Sequence, residues 1–376
     1  MQNNRIHLIA FNIPYPANYG GVIDVFYKLK ALHEIGYKVV LHCFDYGRGF
    51  QSELEQYSEE VCYYPREIRL TQQFSLTPFI VKSRHNYQLL ERLLQDDNPI
   101  IFEGLHTCFF LSQPKLKERV KIVRTHNIEH KYYFNLYKSS VQWSSKLFFL
   151  FESWKLKRYE KVLKFATSIA TISLSDQDYF EQQYGKSFYL PPFHPSKTIE
   201  IKEGHGDYII YHGNLSVPEN EDIIRFILNE IAPKIDHQII IAGSNPSLKI
   251  EQEISKSSNV LLKPNPENQE MNDLQLNAQI HLLLSKNSAG VKIKLIQSLF
   301  IGRFCVVNNT IAEKSILPFV EIVDLENPSE IVSIINSLWD KRIDENAILK
   351  RKQVEKLFSN TENIKLLISN LQYNLG

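Results

Sequence analysis

The sequence lacks the features that mark several large classes of protein. Its four cysteines, Cys43, Cys62, Cys108 and Cys305, are widely scattered along 376 residues. Zinc sites and disulfide frameworks need regular cysteine spacings, so we expect neither of them, and a reducing compartment fits best. The 43 Lys and Arg residues nearly balance 42 Asp and Glu residues. A net charge of +1 provides no field to attract a nucleic acid, which we therefore exclude as a partner.

Long hydrophobic runs are also missing. No apolar run reaches the roughly 18 residues that would suggest a membrane span. The apolar run that ends at Phe11 has neither the length nor the cleavage site of a signal peptide. These observations predict a cytoplasmic protein.

Three common nucleotide and hydrolase motifs do not occur. The first predicted strand is not followed by G-x-G-x-x-G, and G-x-x-x-x-G-K-[ST] is not found, which argues against dinucleotide binding and P-loop chemistry. There is no G-x-S-x-G motif that would indicate a nucleophile elbow.

What the sequence does contain is a regular alternation of strand patterns and helix patterns. Residues 5–11 predict a buried strand, residues 22–35 a helix that Gly36 ends, and residues 37–44 the next strand. Such alternation is typical of parallel sheets covered by helices. The chain of 376 residues is longer than a domain with one hydrophobic core usually is. We therefore expect an α/β protein of two domains.

A break in this alternation predicts the domain boundary. Residues 194–206 contain a proline, several charges and two glycines, without sustained apolar periodicity. We therefore predict an amino-terminal domain over residues 1–193, a linker over 194–206 and a second domain over 207–345. Residues 346–376 have a helical pattern that the second domain does not need.

The loop after the first predicted strand ends in Tyr19, Gly20 and Gly21, at the start of a helix. Because glycines have no Cβ atom, a phosphate or sugar could approach the main-chain N–H groups at the positive helix end. Alternatively, the two glycines only form a tight turn.

A second loop lies at residues 287–298 and runs from a predicted strand into a predicted helix. Lys294, Gln297 and Ser298 share one face of that helix. A cation there suits a diphosphate, and the Gln297 amide suits ribose hydroxyls. The alternative is an ordinary amphipathic helix with solvated lysines.

The stretch over residues 146–164 is basic and aromatic. Its basic residues are Lys146, Lys155, Lys157, Arg158, Lys161 and Lys164. Such a helix can lie on an anionic membrane surface. It can also pack its aromatic side chains into the first domain and leave a solvated basic face, and both interpretations can hold together.

Five motifs follow one another along the chain, at residues 14–21 (PYPANYGG), 124–129 (RTHNIE), 212–215 (HGNL), 242–243 (AG) and 290–295 (GVKIKL). Together they resemble the motifs of the large bacterial family-four, or group 1, glycosyltransferases. The resemblance implies a GT-B fold, with two Rossmann-like domains whose parallel sheets face a central cleft. It also implies that the final helical segment crosses back to the first domain.

The resemblance implies sugar transfer from a nucleotide-diphosphate sugar to a glycan or lipid-linked acceptor. The product would be a precursor of lipopolysaccharide, capsule or exopolysaccharide. Retention at the anomeric carbon is expected, with no metal and no cofactor besides the nucleotide-sugar co-substrate. Peripheral contact with the inner face of the plasma membrane would use residues 146–164.

The resemblance also assigns site residues. As catalytic residues it gives His126, near the transferred sugar, and Lys294, on the diphosphate. The donor-binding candidates are Gly20, Gly21, Gly213, Asn214, Gly243, Ala289, Gly290, Val291, Lys292, Lys294 and Gln297. The acceptor-side candidates are Tyr19, Glu129 and Glu103, the last because it directly follows the strand that residues 100–102 predict.

Two departures from the family pattern concern the donor site. The family usually has two glutamates eight positions apart, where this chain has Ala289 and Gln297. It also has a basic residue where this chain has Asn214, so Lys294, with Lys292, must balance more of the phosphate charge. Two alternatives stay open: an epimerase or hydrolase of the same fold, and a non-catalytic protein that binds sugar nucleotides, which the missing carboxylate at Ala289 suggests.

Overall fold

The computed structural model describes residues 4–69, 72, 75–140, 142–286, 293–312 and 314–373. These residues form two compact units. The first unit comprises the described residues up to Pro195 and those from Ser359 onward. The second unit comprises the described residues between Ser196 and Phe358.

Among the described residues, the first unit contains a seven-stranded sheet in the order β3-β2-β1-β4-β5-β6-β7. All of its strand pairs are parallel. The strands are β1 (Arg5–Ala10), β2 (Lys38–Asp45), β3 (Glu60–Pro65), β4 (Ile100–Glu103), β5 (Lys121–Thr125), β6 (Ser168–Thr171) and β7 (Ser187–Tyr189). The central strands are almost entirely buried, as is usual for a parallel sheet with helices on both faces.

The second unit repeats this plan. Its described residues form a parallel six-stranded sheet in the order β10-β9-β8-β11-β12-β13. The strands are β8 (Ile209–Asn214), β9 (Ile239–Ser244), β10 (Val260–Pro264), β11 (Ile280–Leu283), β12 (Phe304–Asn308) and β13 (Glu321–Val323).

Helices cover both sheets. In the first unit they are α1 (Gly20–Glu34), α2 (Phe79–Lys82), α3 (Tyr87–Leu93), α4 (Glu129–Ser139), α5 (Trp143–Tyr159) and α6 (Leu174–Tyr184). In the second unit they are α7 (Pro218–Phe226), α8 (Leu248–Ile254), α9 (Asn268–Asn277), α10 (Ile293–Ile301), α11 (Pro328–Trp339), α12 (Glu345–Arg351) and α13 (Gln353–Leu357). The last helix is α14 (Asn360–Tyr373). None of the helices in the described ranges combines the length and the apolar character needed to cross a bilayer.

Helix α14 belongs to the first unit, where it packs against α1. Ile364, Leu367 and Leu371 join the apolar core beside β1 and β2. The Asn363 side chain donates to the Pro191 carbonyl oxygen at 3.1 Å. After the second unit, the chain therefore returns to the first unit as helix α14.

The unit boundaries differ from the predicted ones. We predicted that the returning segment starts at residue 346, but α12 and α13 belong to the second unit. The reason is Arg351, whose buried guanidinium donates to the Leu299 carbonyl oxygen at 3.0 Å. In the predicted linker, residues from Ser196 onward also pack on the second unit, where Gly204 forms an antiparallel bridge with Ile343.

Each sheet has one topological switch point. In the first sheet it lies between β1 and β4, and in the second between β8 and β11, because the chain builds outward in opposite directions from these pairs. In open parallel sheets, ligands bind outside the carboxyl ends of the strands at such points.

Candidate functional site

Buried charges gather at the switch point of the first sheet. The Lys28 Nζ atom lies 3.1 Å from Asp24 Oδ2 and 2.6 Å from Glu103 Oε1. Arg124, on β5, places Nε 3.1 Å from Asp24 Oδ2 and Nη2 3.1 Å from Asp24 Oδ1. These four side chains are at most 1% exposed. Two anions and two cations therefore balance each other in the core.

Pairing keeps both carboxyl groups ionised. Burial by itself would raise the pKa of Asp24, but the charges of Arg124 and Lys28 outweigh it and hold this pKa far below its usual value. Burial would likewise raise the pKa of Glu103, yet Lys28 and the hydrogen bond from His126 lower it. Glu103 is therefore a hydrogen-bond acceptor only.

His126, directly after β5, is oriented by this network. Its Nε2 atom lies 3.0 Å from Glu103 Oε2. Because an ionised carboxylate can only accept, Nε2 carries the proton and donates. In the neutral ring, Nδ1 is then the nitrogen that can accept a hydrogen bond. The Phe11 ring meets the His126 ring edge-on, with centroids 5.3 Å apart.

Glu103 was predicted to face the acceptor. In the structure the side chain is fully buried, and its two oxygens bond to Lys28 and His126. Its position at the end of β4 is as predicted, but its carboxylate orients His126 and has no free surface to offer a ligand.

Asp24, Glu103 and His126 also have the composition of a metal site. One possible ligand atom from each lies within 4.8 Å of the others. However, Lys28 and Arg124 already neutralise both carboxylates, so a divalent cation would meet two like charges at short range. The arrangement fits an internal ion network better than a metal centre.

The glycine loop lies beside the same edge of the first sheet. Helix α1 begins at Gly20, and the side chain of its N-cap residue, Tyr19, forms no capping hydrogen bond. A Cβ atom at Gly21 would lie 2.7 Å from Phe11 Cζ, so close packing on this ring requires glycine. Tyr19 is exposed, its hydroxyl accepts from Asn12 Nδ2 at 2.9 Å, and Arg48 lies over its ring.

Glu129, an acceptor-side candidate, is buried at the start of α4. Its Oε1 atom lies 3.9 Å from Nδ1 of His106. Neither atom has a hydrogen-bond partner among the described residues. Burial raises the pKa of Glu129 to about 8, so this carboxyl group is mostly protonated at neutral pH.

Sequence reasoning missed His106 and Arg84. His106 lies in a 3₁₀ turn after β4, and its ring contacts Phe11 with centroids 5.5 Å apart. Arg84 follows α2 and donates from Nε to the Phe11 carbonyl oxygen at 2.7 Å. Nothing in the local sequence marks either residue, because the segments after β4 and α2 bring them to the end of β1 only in the folded chain.

In the second unit, the predicted Gly243 has a packing role. A Cβ atom at Gly243 would lie 1.8 Å from the Gly213 carbonyl oxygen, so the ends of β8 and β9 can meet only without one. The Asn214 side-chain oxygen accepts from the Ser216 main-chain N–H at 3.1 Å, and the Asn214 main-chain carbonyl oxygen accepts from the Asn220 side chain at 2.7 Å.

Lys294 lies near the amino end of α10, with Nζ 5.1 Å from the centroid of the Tyr211 ring. It is half-buried, as is Gln297. Burial lowers the pKa of His212 well below its usual value, and the Lys294 charge lowers it further. The Ser298 hydroxyl lies 3.4 Å from His212 Nε2. The other donor candidates, Ala289, Gly290, Val291 and Lys292, lie outside the described residues.

Comparison with known proteins gives one relative by sequence and many by structure. No family model matches the chain. An "uncharacterized 44.6 kDa protein in cps region" of Klebsiella pneumoniae is 24% identical over 310 residues, which cover 77% of this chain and 79% of the relative.

The solved structures match over nearly the whole chain. A glycosyltransferase from Rickettsia africae matches with a TM-score of 0.68 at 9% identity and covers 100% of this chain and 99% of its own. TarM matches with a TM-score of 0.67 at 11% identity, covering 98% of each chain. HepE from Anabaena, crystallised with UDP and glucose, gives 0.67 at 11% identity and covers 98% of this chain and 99% of its own. This chain therefore has the two-domain α/β fold of the GT-B glycosyltransferases, which confirms the predicted fold class.

Proposed function

We propose that this chain is a glycosyltransferase that moves a sugar from a nucleotide-diphosphate sugar to a precursor of a surface glycan. The observation that carries the proposal is the similarity of the fold, over nearly the whole chain, to solved glycosyltransferase structures. One of the similar structures is that of a protein crystallised with UDP and glucose. The relative in a cps region supports a role in lipopolysaccharide, capsule or exopolysaccharide synthesis.

In this proposal His126 lies beside the transferred sugar. The buried pairing of Glu103 with Lys28 supports this role, because it fixes the proton on Nε2 and leaves Nδ1 to accept from a sugar hydroxyl. A ring held in one tautomer makes such a bond without the entropic cost of orienting itself first.

The proposed reaction proceeds through an oxocarbenium-like transition state with retention at the anomeric carbon. The bond between the anomeric carbon and the diphosphate oxygen breaks, and the acceptor oxygen bonds to the same face of that carbon. The acceptor proton passes to the leaving phosphate. Lys294 balances the charge that develops there, together with the main-chain N–H groups of the first turn of α10. The mechanism needs no metal and no further cofactor.

We further propose that the protein is cytoplasmic and contacts the membrane through α5. Trp143, Leu147, Phe151 and Trp154 lie at helical spacing on one face of α5 and are 45–76% exposed. The basic residues Lys157, Arg158, Lys161 and Lys164 are exposed beside them. An apolar stripe flanked by cations suits an anionic lipid surface.

This arrangement corrects one part of the sequence interpretation. Lys155 was counted among the residues that face the membrane, but it is buried, and its Nζ atom lies 2.6 Å from Glu152 Oε1. Glu152 in turn accepts from the Phe79 main-chain N–H at 2.7 Å. The face of α5 that packs inward is therefore the one with Glu152 and Lys155, and the aromatic stripe faces outward.

The function is tested with the purified chain and radiolabelled UDP-sugars and GDP-sugars, with and without a bacterial lipid-linked glycan extract. We expect release of nucleoside diphosphate that depends on the extract, together with label in the glycan. Release without any dependence on the extract would instead indicate a hydrolase or epimerase. Binding without turnover of any donor would contradict an enzymatic role.

His126→Ala is the first variant to compare. It should lower turnover of the sugar while binding of free UDP or GDP stays near the wild-type level, because His126 is assigned to the sugar. Weakened diphosphate binding by a folded variant would show that this assignment is wrong.

A further inference from the structure

Arg84 is a buried cation with an unusual set of partners. Its side chain donates to the Phe11 carbonyl oxygen at 2.7 Å and to the Ile80 carbonyl oxygen at 2.6 Å. The residue is 6% exposed. None of the described carboxylates forms a salt bridge with it, whereas the other two buried arginines of the first unit, Arg119 and Arg124, each pair with an aspartate.

A buried guanidinium without a counter-ion is unfavourable, because the charged group loses its hydration and no opposite charge replaces it. Burial, followed by the charge of Arg66, lowers the pKa of Arg84 to about 9. Arg66 is half-buried and lies over the Tyr46 ring at 4.3 Å. Two cations therefore share this part of the first unit.

The groups around Arg84 do not compensate its charge. Glu129 and His106 are both buried, and the charge of Arg84 acts to lower the pKa of each. Glu129 is mostly protonated at neutral pH because burial raises its pKa to about 8. His106 is neutral because burial, followed by the Arg84 charge, lowers its pKa well below the usual value. Burial raises the pKa of the Tyr133 phenol above its usual value, so this group is also neutral at neutral pH.

Two polar atoms in this group also lack partners. His106 Nδ1 and Glu129 Oε1 are buried, and neither is hydrogen-bonded within the described part of the chain. They lie 3.9 Å apart, which is too far for a direct hydrogen bond. An oxygen atom of a ligand placed between them could bond to both, since buried polar atoms in proteins are normally paired.

We propose that Arg84, His106 and Glu129 bind an anionic group, a phosphate or a carboxylate, of the acceptor substrate. A guanidinium fork matches both groups through paired N–H donors. A protonated Glu129 and a neutral His106 add hydrogen bonds without opposing the negative charge. The proposal deepens the function proposed above and rests on it.

The position in the fold favours the acceptor over the donor as the source of the anion. The site lies at the end of β1 in the first unit, whereas Lys294, the proposed cation for the donor diphosphate, belongs to the second unit. Arg84 follows α2, and α2 is joined to α5 by the bond from Phe79 to Glu152 and by the contact between the Phe79 and Phe148 rings. The anion site therefore adjoins the helix that carries the exposed aromatic stripe.

The test measures binding of inorganic phosphate and of acetate to the full chain by isothermal titration calorimetry at constant ionic strength. We expect at least one of these anions to bind. Arg84→Gln should weaken that binding at least tenfold, and Arg84→Lys should weaken it less, because lysine keeps the charge but loses the fork. The matched control is Arg119→Lys, which alters a buried arginine already paired with Asp96 and should leave the affinity unchanged.

His106→Gln provides a second route if Arg84→Gln does not fold. It removes the ring but leaves Arg84 in place, and it should also weaken anion binding. The inference is overturned if neither anion binds, or if folded Arg84→Lys and His106→Gln bind as tightly as wild type.

A parallel titration with UDP and GDP separates this inference from the proposed function. If nucleotides bind and the two small anions do not, the anion site is wrong and the glycosyltransferase proposal stands. If the nucleotides do not bind, the proposed function loses its support. If Arg84→Lys weakens the binding of UDP or GDP as much as that of phosphate, the site serves the donor diphosphate, and the acceptor assignment is overturned.

Discussion

Replacement of Glu103 by glutamine tests the buried network on which the orientation of His126 depends. The change keeps the shape of the side chain but removes the negative charge between Lys28 and His126. Asp24 alone then faces two cations, Lys28 and Arg124. Breaking a buried ion pair from one side costs about 3–5 kcal/mol. We expect the free energy of unfolding to fall by about this amount, a large share of the 5–15 kcal/mol (roughly) that is typical of a domain.

The assay is urea unfolding of four proteins: wild type, Glu103→Gln, Lys28→Met and the double variant. Removing both charges leaves no uncompensated ion, so the double variant should be less destabilised than the sum of the single variants, by at least about 1.5 kcal/mol. Single effects that simply add would refute the buried pair. If Glu103→Gln unfolds at the same urea concentration as wild type, the carboxyl group carries no charge in the folded protein.

Three further predictions follow from particular contacts. Glu129 has a raised pKa, so its contribution to stability is complete below its unfolded pKa of 4.5 and is lost as the pH rises through about 8. In thermal unfolding at several pH values, Glu129→Gln should not show this loss of stability. If the variant and the wild type lose stability with pH in parallel, Glu129 is not a buried neutral acid. UDP or GDP at a hundredfold excess over its dissociation constant should stabilise the wild type by about 2.7 kcal/mol, and Lys294→Ala should lose most of that gain in a thermal-shift measurement; a wild-type response in this variant would show that the donor site is elsewhere. More protein should sediment with anionic vesicles than with neutral ones, and the amount should fall with added salt, because each basic residue near the surface contributes about 1 kcal/mol that salt screens. The double variant Phe151→Asp with Trp154→Asp should abolish this sedimentation, whereas Leu248→Asp, at an exposed leucine of the second unit, should not. Equal recovery with both vesicle types would rule out the contact.

Some of these features were visible in the sequence because they depend on residues close together in the chain. The strand at residues 5–11 and the helix that Gly36 ends were predicted from apolar periodicity, and β1 and α1 confirm them within two residues. The sequence also predicted that a helix starts at the two glycines, Gly20 and Gly21, as α1 does. The close approach of Phe11 to Gly21 was not, because it depends on how the loop folds back.

The function of individual side chains was less accessible. Glu103 was assigned to the acceptor because it ends a strand, and this position is correct. Its orientation depends on Lys28, which is 75 residues away in the chain. Arg84 and His106 were overlooked for the same reason, since neither has a local pattern and their neighbours come from other strands and helices.

The sequence by itself therefore determined the two parallel sheets with their helices, because strand and helix periodicity are local properties of the chain. Only the tertiary structure decided which polar groups meet. Asp24 and Arg124 are 100 residues apart in the chain, and the packing of α1, which carries Asp24, on the first sheet brings them together. The same holds for α5, whose pattern allowed either face to be buried. The pairing of Glu152 with Lys155 and with the Phe79 main chain turned that face inward, because a buried charge needs a partner and an exposed aromatic side chain does not.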